Sequence, residues 1–249
     1  KDQNVFSCLF DLAYPIPVLV AIIESIRSTE PVNIVPDIAK RASDVSAPQF
    51  VAHDGANLSA ALKAVCLSKE LSLDERYYEI GYDSDAYESL MTWTGLIFPE
   101  LSAIDARTDL STGKITARFT IGQDQKSQVT IPIDALSDGT VKWLALVCYL
   151  ISNRGSLAIE EPENYLHPSM QRSLINIIRN YISNRSAVRF LISTHSETIL
   201  EQCRPQELTI FEYVEGRTIC RRIENSDQVQ EEINRTGFGL GRYLADNAL

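Results

Sequence analysis

The sequence has no surplus of basic charge, no cysteines at metal-binding spacing, no long apolar run and no internal repeat, and each absence removes a class of protein. Lys and Arg number 23 against 33 Asp and Glu, so the 249-residue chain carries a formal charge of −10, with a pI near 4.9. Proteins that coat nucleic acid by electrostatics alone are usually basic; that class is disfavoured, although a local basic patch is not. The five cysteines (Cys8, Cys66, Cys148, Cys203, Cys220) are an odd number without a CxxC pair, so we expect reduced, buried thiols in a cytoplasmic protein. The most apolar early run, PIPVLVAIIESI from Pro15, is broken by two prolines and by Glu24 and is too short to span a bilayer. A basic n-region and a small-residue cleavage site are both absent, so no signal peptide is expected. The chain opens on Lys1 rather than Met, from which we expect that residues precede it.

What is present is enough apolar material, 45% of residues, to bury the core of one large domain or one and a half. Residues 16–27 read as a helix, VNIVPDIAKRAS as irregular, and GANLSAALKAVCLS as a helix capped by Asn57 or Ser59. Residues 73–101 read as two helical pieces parted near Gly81; Tyr77, Tyr78, Tyr82 and Tyr87 within them read as packed rings rather than a base-stacking platform. Two alternating runs in KITARFTIGQDQKSQVTIPI predict a hairpin. After residue 136 the pattern changes. VKWLALVCYLIS is apolar nearly all round and should lie inside. Strand SLAIE, a helix over 168–183 with Leu174, Ile177, Ile178, Tyr181 and Ile182 on one face, and strand AVRFLIST follow. Ser196 should cap the short helix ETILEQC, and ELTIFEYVEGRTICRRI reads as a hairpin around Glu215-Gly216. Strand–helix–strand with short connections predicts an α/β fold with a parallel sheet. We divide the chain into a leading part, residues 1–130, and an α/β core, residues 131–249.

Three segments carry chemistry. LAIEEPENYLHP is a continuously apolar strand ending in Glu160 and Glu161; ligands in open α/β sheets bind at such strand ends. Two adjacent carboxylates can divide the labour, one holding Mg²⁺ through water and the other orienting or deprotonating a water. Alone, the pair reads more readily as a solvated acidic turn. LISTHSE is a second apolar strand, ending in Thr194 and His195 at the same sheet edge, where a histidine can reach a terminal phosphate. ALSDGTVKWLAL places Ser137 or Asp138 at the cap of a buried helix, where amides and the helix dipole form a phosphate site. Two decoys are set aside. Gly113-Lys114 has Thr108 where a phosphate loop needs its first glycine and Ile115 where it needs Ser or Thr; GFGLGR has Arg242 in place of the third glycine of a dinucleotide fingerprint.

Taken together and in this order, the segments resemble the ABC-type ATPase head, particularly the RecF/OLD/SMC-like ATPases with AAA domains. LSDGT resembles the signature loop, LAIEEPE the Walker B strand with its catalytic glutamate, ENYLHP the D-loop and LISTHSE the switch-histidine strand. Spacings of about twenty and thirty residues fit that order. VNIVPDIAKRAS and AHDGANLSAALKAV resemble the segment before the signature, so the likeness covers residues 32–249 and is densest over 136–201. It implies a P-loop NTPase fold: a largely parallel sheet flanked by helices, with peripheral antiparallel hairpins. It implies Glu160 at the Mg²⁺-associated position, where most relatives use Asp, Glu161 as general base and His195 as the γ-phosphate switch. Ser137, Asp138 and Gly139 would form the signature loop, of which Ser137 and Gly139 would contact ATP held by the opposite protomer of a homodimeric ATP sandwich. Glu163, Asn164 and His167 would lie in the D-loop, with a purely structural role open for His167. The departure is the Walker A loop, GxxxxGK[ST], which this sequence lacks; we expect it on a missing N-terminal segment or a partner.

The resemblance leaves three functions open. One is an ATPase in DNA repair or maintenance or in anti-phage defence, acting beside a nuclease domain or partner and possibly on DNA. The second is a transporter ATPase, which the D-loop histidine and the lack of a membrane segment fit poorly. The third is a half-site or non-catalytic assembly module.

Overall fold

The computed structural model describes residues 31–69, 85–124, 127–152, 156–183, 189–237 and 239–246. The expected helix over 16–27, Cys8, Tyr77, Tyr78 and Tyr82 lie outside these residues. Two sheets share one core. In the first, β1 (Pro31–Val32), β6 (Leu157–Glu160) and β7 (Phe190–Ser193) run parallel in the order β1-β6-β7. β6 and β7 are short and apolar except at their ends, and the sixteen-residue helix α5 (Pro168–Ser183) joins them. The periodicity of α5 is the one expected: Leu174, Ile177, Ile178 and Tyr181 are buried, with Ile182 packed beside them. Tyr181 meets Phe190 of β7 edge to face, with ring centroids 6.0 Å apart, a favoured aromatic geometry.

The second sheet is antiparallel. β3 (Leu101–Asp109), β4 (Lys114–Ile121) and β5 (Val129–Pro132) form a meander, and β2 (Ser43–Asp44) pairs with the other edge of β4 near its start. The hairpin of β4 and β5 is the one expected. β3 is a correction, because the predicted helix reached residue 101; the helix α3 (Ala86–Gly95) stops six residues earlier. The alternation of β3 is masked by a register shift between Leu101 and Ala103, and such a bulge breaks the period-two signal. The short helix α1 (Pro36–Ala39) lies inside a segment read as irregular, and the two-residue strand β1, whose Val32 opens that segment, is a further correction. It exists because β6 offers it a ladder, Val32 opposite Ile159.

Two helices sit inside. α2 (Leu58–Ser68) buries nine of its eleven residues. Its Ser59 is no cap: the hydroxyl accepts from the Ala117 amide of β4 at 3.1 Å, while Ser43 Oγ accepts from the Ala60 amide at 3.1 Å. These polar pins fix α2 on the sheet, and Asn57 precedes it in a left-handed conformation without a side-chain cap bond. α4 (Asp138–Ser152) follows a short 3-10 turn (Ile133–Ala135) and buries every residue from Val141 to Cys148. Buried residues on both sides of position 130 belong to one cluster, among them Leu62, Phe119, Trp143 and Ile159. Tyr87 of α3 is half-buried against that core, with Lys69 Nζ 4.4 Å from its ring centroid, so it packs as the sequence reading had it.

The chain closes with the short helix α6 (Glu197–Leu200), the isolated hairpin β8 (Thr209–Val214) and β9 (Arg217–Arg222), and helices α7 (Ser226–Thr236) and α8 (Leu240–Asp246). Ser196 caps α6, accepting from the Ile199 amide. In GFGLGR, Gly239 and Gly241 pack against Glu201 and Glu197, which accounts for them without a nucleotide. No disulfide joins the described cysteines; Cys66 and Cys148 are buried, whereas Cys220 is exposed, against expectation. No described helix is long and apolar enough to cross a membrane.

Phe119 of β4 is fully buried in this core. Phe119→Ala is expected to lower unfolding free energy by about 3–5 kcal/mol, read from urea denaturation monitored by circular dichroism.

Candidate functional site

The register of the parallel sheet assembles the site. Glu160 pairs with Ser193, and the ladder runs one step beyond β6, since the Glu161 amide donates to the Ser193 carbonyl at 2.9 Å. Both strands therefore end together, and Glu160, Glu161, Thr194 and His195 emerge along one edge. Glu160 is exposed, and its carboxylate accepts a long 3.5 Å contact from Asn33, the residue after β1.

Glu161 leaves the strand with φ +41°, a left-handed conformation uncommon for a residue with a side chain. That turn redirects the carboxylate. Asn164 Nδ2 donates to its Oε2 at 2.8 Å, and Oε1 faces His195 Nε2 at 3.9 Å. The second distance is too long for a hydrogen bond, so one oxygen is oriented and the other stays open. The His195 side chain is 91% exposed and available to a ligand. Its amide donates to Glu163 Oε1 at 2.8 Å, which ties the loop after β6 to the end of β7.

His167 has a structural task. Its Nδ1 accepts from the Ser169 amide at 3.3 Å and pairs with Ser169 Oγ at 2.9 Å, capping the start of α5. Next to it, Gln171 accepts from Ser196 Oγ at 2.6 Å and donates to the Leu166 carbonyl at 2.8 Å.

On α4, Ser137 is exposed and is the cap: its Oγ accepts from the Thr140 amide at 3.2 Å. Asp138 lies in the first turn, and its carboxylate accepts from Lys40 Nζ at 2.5 Å. Gly139 is held against the loop that follows β6. A Cβ on it would lie 2.6 Å from the Tyr165 carbonyl oxygen, closer than van der Waals contact permits.

Sequence reasoning missed one residue that the site depends on. Lys142 is 1% exposed, and its Nζ donates to the Glu161 carbonyl at 3.1 Å. The signal was a lone lysine inside an otherwise apolar helix. Burial pushes its ammonium down to about 8, and Glu163 and Glu161 pull the other way.

Among the described residues no group of three His, Cys, Asp or Glu forms a metal cage. An exposed Glu160 carboxylate fits Mg²⁺ in another way, since that ion is often held by one or two carboxylates with phosphate and water completing its shell.

Two carboxylates and a histidine thus share one strand-end edge, and the capped start of α4 packs against the loop that follows β6. The family described as "AAA domain, putative AbiEii toxin, Type IV TA system" matches residues 28–201. The chain belongs to that family, with the ATP-binding P-loop NTPase fold, as the motifs implied. Solved structures of similar chains are SMC heads. One, reported under "Structural biochemistry of ATP-driven dimerization and DNA stimulated activation of SMC ATPases", is 11% identical with a TM-score of 0.45, covering 60% of this chain and 91% of that one. The Smc head with an extended coiled coil bound to the C-terminal domain of ScpA, from Pyrococcus furiosus, is 12% identical with a TM-score of 0.45, covering 60% and 37%. The SmcHead bound to the C-winged helix domain of ScpA is 10% identical with a TM-score of 0.49, covering 74% and 58%.

Gly139→Ala is expected to lower stability by about 1–3 kcal/mol through the forced shift against Tyr165, measured by denaturant unfolding. A second outcome concerns pH. The folded Lys142 value lies below its ordinary 10.5, so between about 8 and 10.5 the unfolded chain binds more protons and stability rises with pH. The stability difference between the native protein and Lys142→Met should move toward the native protein across that window; a flat difference contradicts the burial of a charge.

Proposed function

We propose that this chain forms the hydrolytic edge and the signature helix of an ABC-type ATPase head that closes head-to-tail with a second copy around Mg-ATP. The observation that carries the reading is the placement of Glu160, Glu161 and His195 on one sheet edge, with Glu161 Oε1 open and 3.9 Å from His195 Nε2.

In this reading Glu161 accepts the proton of the water that attacks the γ-phosphorus, through the oxygen that Asn164 leaves free. His195, exposed at the end of β7, donates to the γ-phosphate and senses its departure. Glu160 holds Mg²⁺, which supplies charge neutralisation on the phosphates. Ser137 and the amides at the start of α4 face the nucleotide of the opposite protomer, where a helix N-terminus stabilises negative charge. Asp138, bound to Lys40, is turned to a contact within its own chain. Glu163 and Asn164 link the two halves of the site, and His167 shapes the start of α5. The amides and lysine that cradle the phosphates are absent from the sequence and come from a further segment or a partner.

The cellular task that fits is DNA repair or maintenance, or anti-phage defence, with a nuclease domain or partner and DNA as candidate associates. The alternative is a half-site assembly module, favoured by the lack of a GxxxxGK[ST] motif in these residues.

Glu161→Gln in the full-length protein is expected to slow ATP turnover by about 10²–10⁴-fold while ATP-induced dimers persist, as followed by phosphate release and light scattering. Unchanged turnover removes Glu161 from the role of base. Ser137→Arg should abolish ATP-dependent dimers and leave nucleotide binding to the monomer intact; a head that dimerises without turnover in the native protein supports the assembly module.

A further inference from the structure

Lys142 belongs to no motif, yet it is buried between α4 and the loop that follows β6. It lies one turn into α4, the helix whose first residues include Gly139. Its ammonium donates to the backbone carbonyl of Glu161 at 3.1 Å and lies 5.8 Å from the centroid of the Tyr165 ring, within cation–π range. An ammonium removed from water requires opposite charge nearby. Glu163 supplies it most strongly and Glu161 next. Glu163 Oε2 is buried without a hydrogen-bond partner, while Oε1 holds the His195 amide.

The contact is with the Glu161 carbonyl, not its carboxylate, so it fixes the backbone and leaves the reactive oxygen free. That backbone needs fixing. Glu161 and Tyr165 both have positive φ, +41° and +68°, and a loop with two such residues persists only where its surroundings over-determine it. The close approach of Gly139 to the Tyr165 carbonyl adds a second contact between the same helix and the same loop.

We propose that Lys142 is a positioning residue that clamps α4 to the Glu161–Leu166 loop, so that a displacement of Ser137 and Gly139 at the start of the helix is carried to the backbone of Glu161. The functional half of this inference rests on Glu161 acting as the base; the clamp itself does not. A helix that meets one nucleotide with its first turn would then report that contact to the base serving the other.

The test uses Lys142→Met, which keeps the apolar stem and removes the charge, and the double variant Lys142→Met/Glu163→Gln, which removes both charges and keeps the protein foldable if the single variant is not. Hydrogen–deuterium exchange of the full-length protein is read at the amides of Glu161, Asn164 and His195, with Ala145–Leu150 of α4 and β4 as internal references. Exchange at the three site amides should rise about tenfold or more in both variants, with the references unchanged, as for a local opening. Steady-state ATPase should show kcat down about tenfold or more with KM for Mg-ATP within about twofold, the pattern of lost transition-state geometry. Unchanged exchange at the site, or a uniform rise over site and references, overturns the clamp. Raised exchange with kcat unchanged overturns the relay. A native protein without ATPase activity sinks the proposed hydrolysis while the exchange data still decide the clamp.

Discussion

Everything at this site depends on the parallel register of β6 and β7. With Ile159 opposite Ile192 and Glu160 opposite Ser193, the two strands finish level and their polar continuations share one edge. A one-residue slip would exchange the faces of the whole strand, turning Ala158 and Glu160 to positions that Ile159 now fills. The register is secured from both sides, by burial of Leu157 and Ile159 in the core and by the Glu161 amide bonding onward to Ser193. Chemistry at the edge is thus specified by packing behind it.

The second constraint is the helix α4, which the core encloses and the Glu161–Leu166 loop touches. Its apolar surface, from Val141 to Cys148, fixes its axis between α2 and α3, and full burial of each large apolar side chain contributes about 1.5–3 kcal/mol. Its start is then set by two contacts, Gly139 on the Tyr165 carbonyl and Lys142 on the Glu161 carbonyl. Gly139 thereby has a packing role within its own chain.

The α/β class, α4, α5, β6, β7 and the two hairpins were legible because each has a strong local period and clear ends. Glu160, Glu161 and His195 were legible for a related reason, since each terminates an apolar run. The family match bears out the resemblance to an ATPase head and its fold. What local pattern did not reveal was non-local. β1 is two residues that become a strand only because β6 lies beside them, and β3 hides its alternation behind a bulge. Ser59 looks like a cap and serves instead as a pin between helix and sheet. Lys142 was visible as an anomaly, one charge in an apolar helix, but its meaning required the carbonyl of Glu161, nineteen residues away in sequence.

The edge strand β7 has a consequence for how the protein behaves in bulk. Among the described residues its outer side pairs with no strand, and Leu191 on it is 69% exposed. The hairpin of β8 and β9 adds Phe211 at 67% and Tyr213 at 78%. A row of free amides and carbonyls flanked by bare apolar side chains is a template for strand addition. Solubility of these residues is therefore governed by what lies along that border: covered, it is an interior ladder, and bare, it seeds association between copies.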